Sequence, residues 1–369
     1  MIGMSRTNVG APESIVRGSV AVPRSRPPSY LLAGDRLATG VVEISDDPAV
    51  LERGGFWAVV VDFEGVLRCV RFADVRPAPA AGAAALRRGP WHGPDPRSWS
   101  TSLDRTAYVA GATTIRERIA AGDVYEVNLC RLLSAPLPPA GPGGEPVEPD
   151  PAALAAVLAA GNPAPYALTL DVPEAGLRIA GASPELFLAR DGDVIHSGPI
   201  KGTGRTVPDL RDKDVAENIM IVDLVRNDLG RVARPGSVTV PALCAVEHHP
   251  GLVHLVSTVR ARLRPGVGWP ELLEAACPPG SVSGAPKSSA LRIIRELEPG
   301  PRGPYCGGIG WVDADSGRGW LSVGIRTFWF GADRLWFGTG AAVTWGSDPQ
   351  GEWRETELKA HRLVGLASG

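Results

Sequence analysis

The 369 residues, 44% of them apolar, suffice for the core of one large domain or two smaller ones. A net charge of −2 excludes any strong pull toward nucleic acid or an anionic membrane, so a small anionic ligand would rest on a few local cations or a metal. The five cysteines form no Cys-x-x-Cys pair and no apolar run nears the roughly 18 residues that span a bilayer, so reduced thiols in a soluble cytoplasmic protein are expected.

Residues 1–28, rich in Ser, Arg, Pro and Gly, read as a disordered arm. Strands are predicted at 29–32, 40–44, 56–63 and 66–72, the last two joined by a Glu64-Gly65 hairpin signal. Residues 76–103 read as a linker, which makes 29–103 a short N-terminal β segment ahead of a main domain over 104–369. A helix is predicted at 104–121, closed by Gly122, then a strand at 124–133 and a Pro/Gly-rich loop at 134–150.

The run Pro199-Ile200-Lys201-Gly202-Thr203 sets one lysine on a tight turn. A helix follows, with Asp212 near its start, Gly230 at its end, and Val215, Ile219, Val222 and Leu229 on an apolar stripe. Glu217 stands early in that helix. The pair reads either as a nucleophile or cation beside a metal ligand, or as a solvated lysine and an exposed glutamate. Gly280 to Lys287 resembles a phosphate loop but lacks Walker spacing. Three alternating stretches at 305–312, 320–330 and 335–343 predict an antiparallel meander, and Asp348-Pro349 opens a helix to about 366. Glu352, Glu355 and Lys359 share one face of it, as a solvated ion-pair face or as part of a site.

From about Ile115 to Ala360 these segments resemble the chorismate-utilising enzymes, which include anthranilate, isochorismate, salicylate and aminodeoxychorismate synthases. The resemblance is carried by Gly122-Asp123-Val124-Tyr125-Glu126-Val127-Asn128-Leu129, Ser183-Pro184-Glu185-Leu186-Phe187 and the lysine turn. It continues through Asp223-Leu224-Val225-Arg226-Asn227-Asp228-Leu229-Gly230, His254-Leu255-Val256-Ser257 and Ser283-Gly284-Ala285-Pro286-Lys287. Tyr305-Cys306-Gly307, Ile325-Arg326-Thr327 and Glu355-Thr356 with Lys359 complete it, all in the family's order.

The resemblance implies an α+β fold whose central antiparallel sheets form a sandwich flanked by helices, with 104–369 as the chorismate-binding domain. It implies Mg²⁺ held by Glu217 and Glu355, with Glu352 contributing directly or through water, and Glu185 as general acid. It implies Tyr305 and Arg326 at the enolpyruvyl carboxylate, Lys359 as a further cation, Thr203 and the Gly340 backbone as hydrogen-bonding groups, and His254 near the ring. Lys201 stands where anthranilate synthases carry alanine and aminodeoxychorismate synthases carry a nucleophilic lysine. A lowered lysine pKa is expected for that role, from desolvation or a nearby cation.

Glu126 departs from the glutamine usual in the aminating members and from the lysine of the water-adding ones. It could repel an anion, hold ammonium or point away. Ala341 and Ala342 replace glycines usual there. No elbow cysteine with a spaced His-x-Glu is present, so ammonia is expected from solution or from a separate glutaminase subunit. Amination of chorismate to 4-amino-4-deoxychorismate, for 4-aminobenzoate in folate or specialised metabolism, is therefore expected. The alternatives are anthranilate synthesis and a catalytically silent glutaminase partner.

Overall fold

The computed structural model describes residues 29–138, 148–204, 206–210, 212–249, 252–331 and 333–368. The expected arm at 1–28 and the middle of the expected loop at 134–150 lie outside them. In chain order the strands and helices begin with β1 (Tyr30–Ala33), β2 (Arg36–Ser45), β3 (Phe56–Val61), β4 (Leu67–Pro77), β5 (Ser100–Thr101), α1 (Arg105–Ala120) and β6 (Glu126–Pro136). Next are α2 (Pro151–Gly161), β7 (Tyr166–Val172), β8 (Leu177–Ser183), β9 (Leu186–Asp191), β10 (Val194–Gly198), β11 (Ile200–Gly204), α3 (Asp212–Gly230), β12 (Thr239–His249) and β13 (Leu252–Arg262). The remainder are α4 (Trp269–Ala276), β14 (Gly284–Ala285), α5 (Lys287–Leu297), β15 (Gly308–Asp313), β16 (Arg318–Val323), β17 (Thr327–Gly331), β18 (Arg334–Val343) and α6 (Pro349–Ala367).

Among the described residues every strand pairing is antiparallel. The ladder runs from β6 through β18, β17, β8, β7, β1 and β2 to β4. It returns through β3, β15, β16, β9 and β10 to β13, which also pairs with β11 and β12. Strand β3 shows why this folds into layers. Trp57, Val59 and Val61 enter one apolar cluster while Phe56, Ala58 and Val60 enter another. Alternate side chains of a strand face opposite ways, so a strand buried on both faces must be apolar throughout. Helices α1 and α5 cover β6, α6 covers β18, and α3 lies on β11 and β13. The result is the expected antiparallel sandwich flanked by helices.

The N-terminal strands are knitted into this ladder, β1 against β7 and β3 against β15. Two expectations of detail change. The predicted single stretch at 320–330 is two strands, β16 against β9 and β17 against β8, broken at residues 324–326. The stripe on α3 is rotated: Val215 and Ile219 are exposed, while Asn218, Ile221 and Val225 join Val222 and Leu229 in the interior. A stripe drawn through apolar residues alone passed over the buried Asn218, whose Nδ2 donates to Leu255 O and whose Oδ1 accepts from Ser257 Oγ.

Candidate active site

The two ends of the ladder, β6 and the β11–β13 group, meet across a cavity of about 490 Å³, within the range of small-molecule sites. Lys201, Glu185, His254, Tyr305, Arg326, Gly340, Glu217, Glu355 and Lys359 all line it. Glu352 lies outside the lining, and the Thr203 side chain lies outside the described residues, although its backbone pairs with buried His254 on β13.

Local backbone features aim these groups. Register shifts on β11 between Ile200 and Thr203, a device that redirects side chains from a sheet. Gly202 there has φ +82, and a Cβ at that position would lie 2.8 Å from Asp214 Cβ, so the position requires glycine. Arg326 sits in the break between β16 and β17 at φ +51, where its carbonyl accepts from Ala182 N at 3.0 Å. A non-glycine residue held at positive φ is strained and must be kept there by its surroundings. The Tyr305 ring occupies the space over Gly338, where a Cβ would fall 2.0 Å from Tyr305 Cγ. Glu185 is fixed by its backbone: its carbonyl accepts from Val323 N at 3.0 Å, and its N–H donates to Ser183 Oγ at 3.3 Å.

Electrostatics divides the cavity in two. At the deep end Lys201 Nζ donates to Glu126 Oε1 at 2.8 Å, with Glu126 fully buried. Burial lifts the Glu185 carboxyl to about 7, against the lowering effects of Ser281, Lys201, the Ile200 amide and Arg326. Burial lowers Arg326, partly offset by Glu185. For Lys201 the expectation is reversed: burial pulls its pKa down, but Glu126, Glu217 and Glu185 overcome it and raise it above the ordinary lysine value. Glu126 points at the lysine, which settles its direction.

At the helical end α3 and α6 approach each other. Lys213 Nζ lies 3.3 Å from Glu217 Oε1 and 3.3 Å from Glu352 Oε1, so Glu352, itself outside the lining, is paired with a lysine that lines the cavity. Burial raises the Glu217 carboxyl against the pull of Lys201 and Lys213. Glu355 pairs with Lys359 Nζ at 2.8 Å; burial pushes its carboxyl up, but Lys359, Lys213 and Lys201 together bring it below the usual range. The Gly340 carbonyl accepts from Lys359 Nζ at 3.0 Å.

The carboxylates fit a magnesium ion. Glu217 Oε1 is buried without a hydrogen bond, Lys213 being at ion-pair distance only, and it lines the same cavity as Glu355. No cluster of three or more acidic, His or Cys ligands occurs among the described residues. Two carboxylates completed by water and substrate oxygens suit Mg²⁺, which seldom takes an all-protein cage.

Lys213 was not foreseen, and Glu126 was singled out only as a departure from the family's usual residues. Lys213 was signalled only by its four-residue spacing to Glu217. Glu126 is positioned by the loop that resembled a phosphate site: β14 pairs with β6, setting Ala285 opposite Glu126. Lys287 of that loop is tied to Asp228 Oδ2 at 2.7 Å and Ala276 O at 2.9 Å, which removes it from any ligand role.

A family model for the chorismate binding enzyme matches residues 83–365. Anthranilate synthase component 1 of Streptomyces coelicolor is 37% identical over 81% of this chain and 59% of its own length. Component 1 1 of Haloarcula marismortui is 38% identical over 73% and 55%. Aminodeoxychorismate synthase component 1 of Salmonella typhimurium is 35% identical over 84% and 68%. The chain thus spans little more than half the length of the first two. Among solved structures, anthranilate synthase component I from Streptococcus pneumoniae has a TM-score of 0.72 at 23% identity, covering 98% of this chain and 95% of that one. The menaquinone-specific isochorismate synthase MenF of Escherichia coli has a TM-score of 0.73 at 18% identity, covering 93% and 89%. At those identities the likeness speaks to fold.

Proposed function

The chain belongs to the chorismate-binding enzyme family, and on that premise we propose that it is the large component of an aminodeoxychorismate synthase. The substrates are chorismate and ammonia, the latter from solution or a separate glutaminase subunit. The observation that carries this reading is Lys201, lining the same cavity as buried Glu185, whose carboxyl burial raises to about 7.

Lys201 Nζ, once neutral, attacks ring C2; the ring double bonds shift and the C4–O bond breaks. Glu185 gives its proton to the departing hydroxyl, which leaves as water. Ammonia then bonds to C4 and the C2–N bond breaks, releasing the amine of Lys201. A proton from the incoming nitrogen restores Glu185. Glu217 and Glu355 would hold Mg²⁺, which when bound neutralises a substrate carboxylate. Arg326, planar and forked, would hold the enolpyruvyl carboxylate beside Tyr305.

A second reading, anthranilate synthesis, is favoured by the 37% and 38% identities to anthranilate synthase components. Product analysis separates the two. The purified chain is incubated with chorismate, ammonium and Mg²⁺, with a metal-free control, and half of each sample receives a 4-amino-4-deoxychorismate lyase. The expected result is 4-aminobenzoate only in the lyase samples. Anthranilate without lyase would overturn the reading.

A further inference from the structure

We propose that Lys213 is a positioning residue that sets how tightly the site takes a divalent cation, by competing with that cation for the Glu217 carboxylate. The inference rests on the magnesium assignment of the amination reading above, in which Glu217 and Glu355 hold the ion.

Lys213 and Glu217 are four residues apart on α3, so their side chains leave one face of the helix a turn apart, and both line the cavity. Lys213 Nζ lies 3.3 Å from Glu217 Oε1 and donates to Glu352 Oε1 at 3.3 Å, which makes it a bridge from α3 to α6. Glu352 stands one turn before Glu355. The ammonium therefore sits between the two helices that supply the metal carboxylates. Glu217 Oε1 is buried and accepts no hydrogen bond among the described residues, so its lone pairs are open to a cation. Any cation that takes this oxygen shares it with an ammonium 3.3 Å away.

Two positive charges on one carboxylate repel each other, and at a few ångströms in a partly enclosed site water weakens that repulsion little. The result is a competition rather than a block. The Lys213 side chain is 34% exposed and its four-carbon stem is flexible, so it can give way toward solvent at a cost. Lys359 is the corresponding cation beside Glu355, but that pair is the more exposed one and its charge is better screened. Lys201 also acts on Glu217 by charge, yet its nitrogen is bonded to Glu126. Lys213 is left as the cation in direct competition for Glu217.

The test is a calorimetric titration of the full chain with Mg²⁺ near neutral pH without chorismate, so that metal binding and not turnover is read. Lys213→Met removes the charge and keeps the stem. Lys213→Gln removes the charge and keeps a donor for Glu352, and Lys213→Arg keeps the charge. All three are good helix formers, so α3 is preserved. K213M and K213Q should both bind Mg²⁺ at least about tenfold more tightly than wild type, and K213R about as wild type does. Equal or weaker binding in the two neutral variants, undetectable binding included, would overturn the competition. Tighter binding in K213R as well would show that bulk rather than charge acts, and would overturn it too. A wild-type titration that Glu217→Ala leaves unchanged would instead overturn the metal assignment on which the inference rests.

Discussion

Lys201 and Glu126 meet at 2.8 Å, as do Lys359 and Glu355, yet the first pair is 10% and 0% exposed and the second 52% and 42%. Equal geometry therefore does not mean equal chemistry. Water screens the pair on α6, and an exposed pair of that kind contributes little beyond orientation. The pair between β11 and β6 is enclosed, so each charge depends on the other and on Glu185 and Glu217 nearby. The deep end is where protons and bonds can be moved; the helical end is where an anion or a metal can be received from solvent.

The largest effect should come from the deep pair. Lys201→Ala removes the nucleophile, and formation of 4-amino-4-deoxychorismate, followed with the coupled lyase, should fall by more than about 10⁴-fold. Turnover within tenfold of wild type would mean that the enclosed lysine is structural, and the contrast between the two ends would lose its chemical meaning.

Glu185 gives the next effect and a pH signature. Its carboxyl is raised to about 7, first by burial, so the protonated form needed by a general acid is present below that pH and lost above it. The kcat/KM profile should therefore fall as pH rises through about 7. Glu185→Gln should reduce kcat by about 10²- to 10⁴-fold and flatten that limb. A wild-type profile that rises through pH 7 to 9 without a fall would contradict the acid assignment.

Much of this cavity's lining was legible in the chain because the family's short blocks stand in it in order. Ser183-Pro184-Glu185 was marked by that resemblance, whereas the residues alone left the Lys201-Gly202 turn and the α6 face open between a site and solvated groups. What could not be read depends on separation and burial. Glu126 and Lys201 are 75 residues apart, and only the closing of the ladder brings them to 2.8 Å, so the sign of the lysine shift was out of reach. The break that presents Arg326 was hidden because residues 320–330 alternate without interruption, while β16 and β17 take different partners. Helix α2 went unmarked although Asp150 caps it through the amides of Ala152 and Ala153. Its Ala-rich run has no polar stripe to reveal a period.

The smallest effect should come from the exposed pair. Lys359 Nζ is shared between Glu355 Oε1 at 2.8 Å and the Gly340 carbonyl at 3.0 Å. Lys359→Met keeps the length of the stem and removes the charge. Glu355 then loses the largest of the influences that lower its carboxyl, so its pKa should rise toward the usual value. Because the pair is screened, the expected loss is a roughly fivefold rise in KM for chorismate with kcat nearly unchanged. The difference between variant and wild type should shrink as salt is raised, since an exposed charge acts through solvent. A collapse of kcat comparable to that of Lys201→Ala, insensitive to salt, would show Lys359 acting on the reacting atoms and would make the two ends of the cavity equivalent.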